Sequence, residues 1–149
     1  MSASTIETER ALRSLSEVYA SAADRRELGR VADLFLPDGV LEVFYPAQSR
    51  PRRYQGHEAI RGSWQRLSRF RLTMHLLGQA TFDIDREEAT GEVYCVAHHL
   101  DAEKLDTDYV LYIRYGDRYR AVSGRWGIVL RQVRTLWTET RTIDVAASG

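Results

Sequence analysis

The chain has 149 residues, with 21 basic side chains against 21 acidic ones, and is 44% hydrophobic, which suits one domain that buries a core without disulfides. Zero formal charge argues against nucleic-acid or anionic-membrane partners, since both require a one-sided excess of Lys and Arg. The longest apolar runs, Val93–Ala97 and Tyr109–Ile113, are far too short to span a membrane. The N-terminal MSASTIETER has no signal core, and Cys95 stands alone, so a soluble cytoplasmic domain covering 1–149 is expected.

Ser4-Thr5-Ile6-Glu7 has the spacing of a capping box, and Leu12, Leu15, Tyr19 and Ala22 then recur at helical steps, predicting a first helix with one buried face. A second, short helix is expected with Leu28, Val31, Ala32 and Phe35 inward, ended by Pro37-Asp38-Gly39. Val40–Tyr45 reads as a strand, Pro46–Arg53 as a surface loop, and His57–Ser68 as a third helix burying Ile60, Trp64 and Leu67. Four β-rich stretches follow: Arg71–Asp85, Ala89–Leu100, Tyr109–Val122 and Trp126–Arg141. Helices first and long strands at hairpin spacing afterwards predict an α+β fold, with helices on one face of a curved antiparallel sheet. Such a cone leaves a cavity between sheet and helices, suited to a small ligand. Residues 143–149 are expected to form a flexible tail.

The chemistry is narrowed first by what is missing. No phosphate-binding glycine motif, nucleophile elbow or CxxC pair is present. Cys95, between Val93-Tyr94 and Val96, reads as a small core residue. Twenty of the 21 basic residues are Arg, and Lys104 sits in the polar stretch DAEKLDTD, where nothing would desolvate it for Schiff-base chemistry. The arginine skew fits a GC-rich genome, or a few guanidiniums that recognise carboxylate, enolate or phosphate groups in a pocket. No tight His spacing suggests a metal, and neither metal nor cofactor is expected. His57 reads as a solvated residue near a helix start. His75 lies in an otherwise apolar strand. His98 and His99 are adjacent in a strand, so only one of them can enter a cavity. Asp24 follows the first helix, where it could cap the second helix or hold a histidine.

These residues fall into an ordered set. Tyr19-Ala-Ser-Ala-Ala-Asp24, Ala32-Asp-Leu-Phe-Leu-Pro-Asp-Gly-Val40, Gly56-His-Glu-Ala-Ile-Arg61, Thr73-Met-His75-Leu-Leu-Gly78, Val96-Ala-His98-His99 and Gly124-Arg-Trp126 through Arg131 follow one another along nearly the whole chain. The set resembles the SnoaL-like, nuclear-transport-factor-2-like superfamily with its cystatin-like cone. Within it, the likeness is to the scytalone dehydratase-like branch, which includes lindane dehydrochlorinase and bile-acid 7α-dehydratase and eliminates HX without a cofactor. The resemblance implies an Asp24–His75 catalytic dyad, His98 as a second catalytic polar residue, and Tyr19, Tyr45, Tyr115 and Arg131 as substrate-binding residues. It further implies a small, cyclic, partly apolar substrate and a homo-oligomer, trimer or dimer. Ala23 departs from the tyrosine that scytalone dehydratase carries before its Asp, so a different substrate or orientation is expected. An isomerase or polyketide-type cyclase using the same dyad, and a non-catalytic binding module, remain alternatives.

Overall fold

The computed structural model describes residues 3–145. Helix α1, Ala3–Asp24, turns one face inward through Leu12, Ser16, Tyr19, Ala22 and Ala23. It ends in a Schellman motif, with Glu27 N–H donating to the Ala22 carbonyl and Arg26 N–H to that of Ala23. The left-handed residue this motif needs is usually glycine, but here it is Arg26, at φ 62°. Helix α2, Leu28–Asp33, begins from Glu27 rather than Asp24, so Asp24 is not used as its cap. The expected capping box at Ser4 lies inside a helix that already runs from Ala3.

Strand β1, Phe35–Phe44, starts two residues before Pro37. The expected second helix therefore stops short of Phe35, and Pro37-Asp38-Gly39 lies within β1 instead of ending a helix. Phe35 pairs with Ile128 and Val40 with Leu130, so the Pro–Gly segment bulges out between two paired stretches. Strand β2, Arg52–Gln55, takes over the end of the expected loop. Helix α3, His57–Ser63, gives way to a 3-10 segment, Trp64–Arg69. Three long hairpin strands and a returning one complete the chain: β3 (Phe70–Asp85), β4 (Glu88–Asp101), β5 (Thr107–Val122) and β6 (Arg125–Thr142). Ser123 and Gly124, both at positive φ, make the tight turn between β5 and β6.

The sheet order is β2-β1-β6-β5-β4-β3. Every neighbour is antiparallel except β1 with β6, which is parallel, so the sheet is mixed. Register shifts at Leu77/Ala80 and Tyr112/Ile113 bend the long strands, as bulges do. The resulting α+β cone closes its concave face with the helices. Val93, Cys95, Ala97, Ile113, Tyr115 and Ile128 from the sheet meet Leu12, Tyr19, Ala23 and Ile60 from the helices in one core. Ile143 N–H bonds the Asp106 carbonyl, which ties the chain down just past β6. The last four residues of the expected tail lie outside the described residues.

Candidate active site

Strand alternation decides which polar side chains enter the concave face. His75 pairs with Ala97, and Thr73 with His99, so Thr73, His75 and His99 share a face while Met74 and His98 share the opposite one. On the concave side a cavity of about 380 Å³ is lined by Tyr19, Trp64, Phe70, His75, His99 and Tyr115, among others. That volume is at the small end for ligand pockets.

The end of α1 reaches this wall through Asp24. His75 Nδ1 lies 2.7 Å from Asp24 Oδ1, and the His75 backbone N–H donates to Oδ2 at 2.9 Å. Thr73 Oγ1 donates to Oδ1 at 3.0 Å. A carboxylate only accepts, so Nδ1 carries the ring proton and Nε2 is left with a free lone pair. Burial alone would raise the Asp24 carboxyl. The hydrogen bonds from the His75 ring and backbone, with that of Thr73, instead hold it below the usual carboxylate range.

Arg26 explains why a non-glycine occupies the strained position after α1. Its guanidinium donates to Thr73 Oγ1 at 2.6 Å, to the Ala23 carbonyl at 3.0 Å and to the Phe70 carbonyl at 3.3 Å. It ties the end of α1 to the start of β3 and orients the hydroxyl that supports Asp24. Neither Arg26 nor Thr73 is singled out by the sequence, because the fold alone brings them together.

His99, not His98, lines the cavity. Its ring lies 5.9 Å from that of His75 and 4.9 Å from that of Phe70. His98 faces the convex side, where Nδ1 bonds Asp108 Oδ2 at 2.6 Å. Asp108 Oδ1 also accepts the His99 backbone N–H at 3.1 Å, so this pair braces β4 against β5. Placing His98 in the pocket is thus corrected by the one-residue alternation of the strand.

His99 donates through Nδ1 to the Tyr109 carbonyl at 3.2 Å, so its Nε2 is an acceptor. Burial, with the neighbouring His75 ring, pushes His99 down from 6.5 to about 4. The unfolded chain therefore binds this proton at a pH where the folded chain does not, and stability falls as pH drops from 6.5 towards 4. The loss across that window is on the order of 3 kcal/mol. Urea unfolding of wild type and His99→Phe at pH 7 and about pH 4 checks this. The variant is expected to lose less stability between the two conditions, and parallel losses would contradict the assignment.

The remaining candidates divide between wall and support. Tyr19 and Tyr115 line the cavity and stack edge-to-face at 5.6 Å. Burial keeps the Tyr19 hydroxyl protonated far above its ordinary range, against the opposing pull of Arg131 and Arg66. Tyr45 stands at the mouth, and its hydroxyl accepts from Arg66. Arg131, expected as a pocket residue, is fully buried behind the wall and does not line the cavity. It makes a two-pronged bond to Asp117 (Nε to Oδ1 at 2.9 Å, and a terminal nitrogen to Oδ2 at 2.7 Å) and donates to Ser16 Oγ at 2.6 Å. The Tyr19 and Tyr115 rings each lie 4.3 Å from its guanidinium carbon. Burial would depress the Arg131 guanidinium, but Asp117 holds it well above its usual range.

Trp64 is the wall residue whose chemistry the sequence conceals, since its helical spacing reads as core. Its ring packs 5.2 Å from that of Tyr19 and 6.4 Å from that of His75, and its buried Nε1–H has no hydrogen-bond partner among the described residues. Among the described residues no three His, Cys, Asp or Glu side chains converge as a metal site, and no helix is long and apolar enough to cross a membrane.

A SnoaL-like domain model matches residues 4–132. The chain belongs to this family. No curated protein sequence matches it, so the comparisons that bear on this SnoaL-like chain are structural. A provisionally assigned scytalone dehydratase from Novosphingobium aromaticivorans is 25% identical, with a TM-score of 0.81 over 98% of this chain and 95% of the other. A hexachlorocyclohexane dehydrochlorinase from Novosphingobium barchaimii superposes with a TM-score of 0.82 over 97% of both chains. Its 14% identity shows a shared fold. A protein of unknown function with a cystatin-like fold from Nostoc punctiforme matches at a TM-score of 0.70 and 22% identity, over 85% of this chain and 90% of its own. The 25%-identical neighbour carries a dehydratase assignment, while the dehydrochlorinase likeness is one of fold alone.

Proposed function

We propose that this SnoaL-like protein is a cofactor-independent lyase, a dehydratase that acts on a small, cyclic, partly apolar hydroxyketone. The observation that carries the reading is the 2.7 Å Asp24–His75 contact in the wall of an open cavity. An imidazole with one nitrogen bonded to a carboxylate and the other free is built to accept a proton. His75 Nε2 takes the proton from the carbon α to the carbonyl, and the C–H electrons move onto the carbonyl oxygen as an enolate. When the enolate collapses, the carbonyl reforms, the β C–O bond breaks, and the departing hydroxyl takes the proton back from His75 as water. Asp24 stabilises the imidazolium in between.

One donor favours the enolate over the ketone. The Tyr19 hydroxyl belongs to a buried, aromatic wall, where hydrogen bonds to a developing charge are strongest. His99, with Nδ1 committed to Tyr109, accepts through Nε2 and suits the substrate hydroxyl. Its depressed proton affinity makes it a poor general acid at neutral pH, which is why proton return is assigned to His75. A non-catalytic binding module would have no need of the close Asp24–His75 contact. Isomerisation or cyclisation would use the same base. Mass analysis of cyclic β-hydroxyketones after incubation separates the two chemistries: loss of one water supports the lyase, and an altered product of unchanged mass overturns it.

The same reading places the protein in the cytoplasm, where its single buried, free Cys95 would stay reduced. It also assigns self-association to the convex face, where Leu72, Met74, Leu76 and Trp137 are about half exposed. Sedimentation of wild type and a Met74→Glu, Trp137→Glu double variant tests this. Wild type is expected as a dimer or trimer and the variant as a monomer, while a monomeric wild type would contradict the assignment.

A further inference from the structure

The chemistry at the back of the cavity is set by histidines, but its mouth has a different character. Arg52 from β2, and Arg66 and Arg69 from the 3-10 segment, all line it, together with Tyr45 and Gln48. No Asp or Glu is among the lining residues. Elsewhere in the chain guanidiniums find carboxylates: Arg30 has Glu27, Arg53 has Glu42, Arg131 has Asp117 and Arg141 has Glu139. The three mouth arginines have no ion pair among the described residues.

Their positions are held without neutralising them. Arg52 and Arg66 lie over the Tyr45 ring at 5.1 and 5.5 Å, and Arg69 lies over Phe70 at 5.0 Å. Asp101 feels the charge of Arg69, but its own Oδ1 already accepts from the Glu103 and Lys104 backbone N–H groups. Bringing three like charges to one rim is unfavourable unless something negative enters between them. Arg66 spends one N–H on the Tyr45 hydroxyl, but a guanidinium lying against an aromatic ring keeps further N–H groups along its planar edge, and that edge matches the oxygens of a carboxylate or phosphate.

We propose that the substrate carries an oxyanionic group, carboxylate or phosphate, held at the mouth by Arg52, Arg66 and Arg69 while its ring reaches His75. The inference builds on the proposed lyase reading by naming its substrate class. It also splits the cavity by role: the arginines recognise, and the dyad reacts.

Calorimetric titration with naphthoate, naphthyl phosphate and neutral naphthamide tests recognition without requiring turnover. At low salt, at least one anion is expected to bind about tenfold or more tightly than the amide, in keeping with a charge-assisted hydrogen bond. Whichever anion is preferred identifies the group. The preference is expected to fall with added salt and to vanish in the triple variant Arg52→Gln, Arg66→Gln, Arg69→Gln. All three side chains are on exposed residues, and thermal unfolding confirms that the variant folds. His75→Ala is expected to keep the preference, so loss of the dyad reading would leave this result standing. Equal affinity for all three probes, binding of none, or a preference that survives the triple variant would overturn the inference.

Discussion

Replacing His75 with alanine is expected to lower kcat/KM for water loss from a cyclic β-hydroxyketone by about two or more orders of magnitude. That corresponds to at least about 2.7 kcal/mol of transition-state stabilisation. The side chain is the one group in the cavity that joins a free ring nitrogen to a carboxylate-fixed partner. Asp24→Asn is expected to act in the same direction for a different reason. An amide can donate to Nδ1, which would place the ring proton on Nε2 and turn the base into a donor. It also cannot stabilise an imidazolium as a carboxylate does. Circular dichroism and thermal unfolding are expected to show both variants folded, because the Arg26 bonds to Thr73, Ala23 and Phe70 do not depend on either side chain. Rates near wild type in both variants would remove the dyad from the mechanism.

The largest effect on stability is expected from Asp117→Ala. Asp117 and Arg131 have fully buried side chains, and Asp117 also accepts the Tyr119 hydroxyl at 2.6 Å. Removing the carboxylate leaves a guanidinium charge stranded beneath α1, at a cost of roughly 3–5 kcal/mol. For a chain of this length that lowers Tm by about 10 °C. Replacing both partners, with Asp117→Leu and Arg131→Met, is expected to restore most of the loss, because the penalty comes from the unpaired charge rather than from the absent bond. Thermal and urea unfolding of the single and double variants check the pair. A single variant within 1 kcal/mol of wild type would contradict it. The double variant also has a functional consequence, since Tyr19 and Tyr115 lose the cation that both rings face.

These two pairs, one part-buried and one fully buried, show where sequence reasoning reaches and where it stops. The helix-then-strand order and the cone follow from periodicity, and the Asp24 and His75 positions follow from the ordered resemblance. The rest depends on register. His98 and His99 are indistinguishable until His75 is seen opposite Ala97 and Thr73 opposite His99. Alternation then sends His98 outward. Arg131 reads as a pocket residue because its position on the last strand is right. Its guanidinium instead turns towards Asp117 and Ser16, residues 14 and 115 positions away.

Pro37-Asp38-Gly39 looks like the end of a helix because local turn chemistry resembles any other interruption. Only the parallel pairing of β1 with β6 shows it as a bulge in a strand. Arg26 gives no sequence signal, since an arginine at positive φ is held there by contacts with β3. The arginine excess is plain in the sequence. Its division into paired, buried and mouth-lining groups depends on the fold.

The central claim is that His75 removes a proton from carbon beside a carbonyl, and hydrogen–deuterium exchange tests it most directly. Tetralone incubated with the protein in deuterated buffer, followed by proton NMR, reads that step without a leaving group or a known substrate. Wild type is expected to exchange the proton α to the carbonyl well above the buffer rate, and His75→Ala to fall back to that rate. Equal exchange by wild type and His75→Ala, or none above buffer by wild type, would contradict the account.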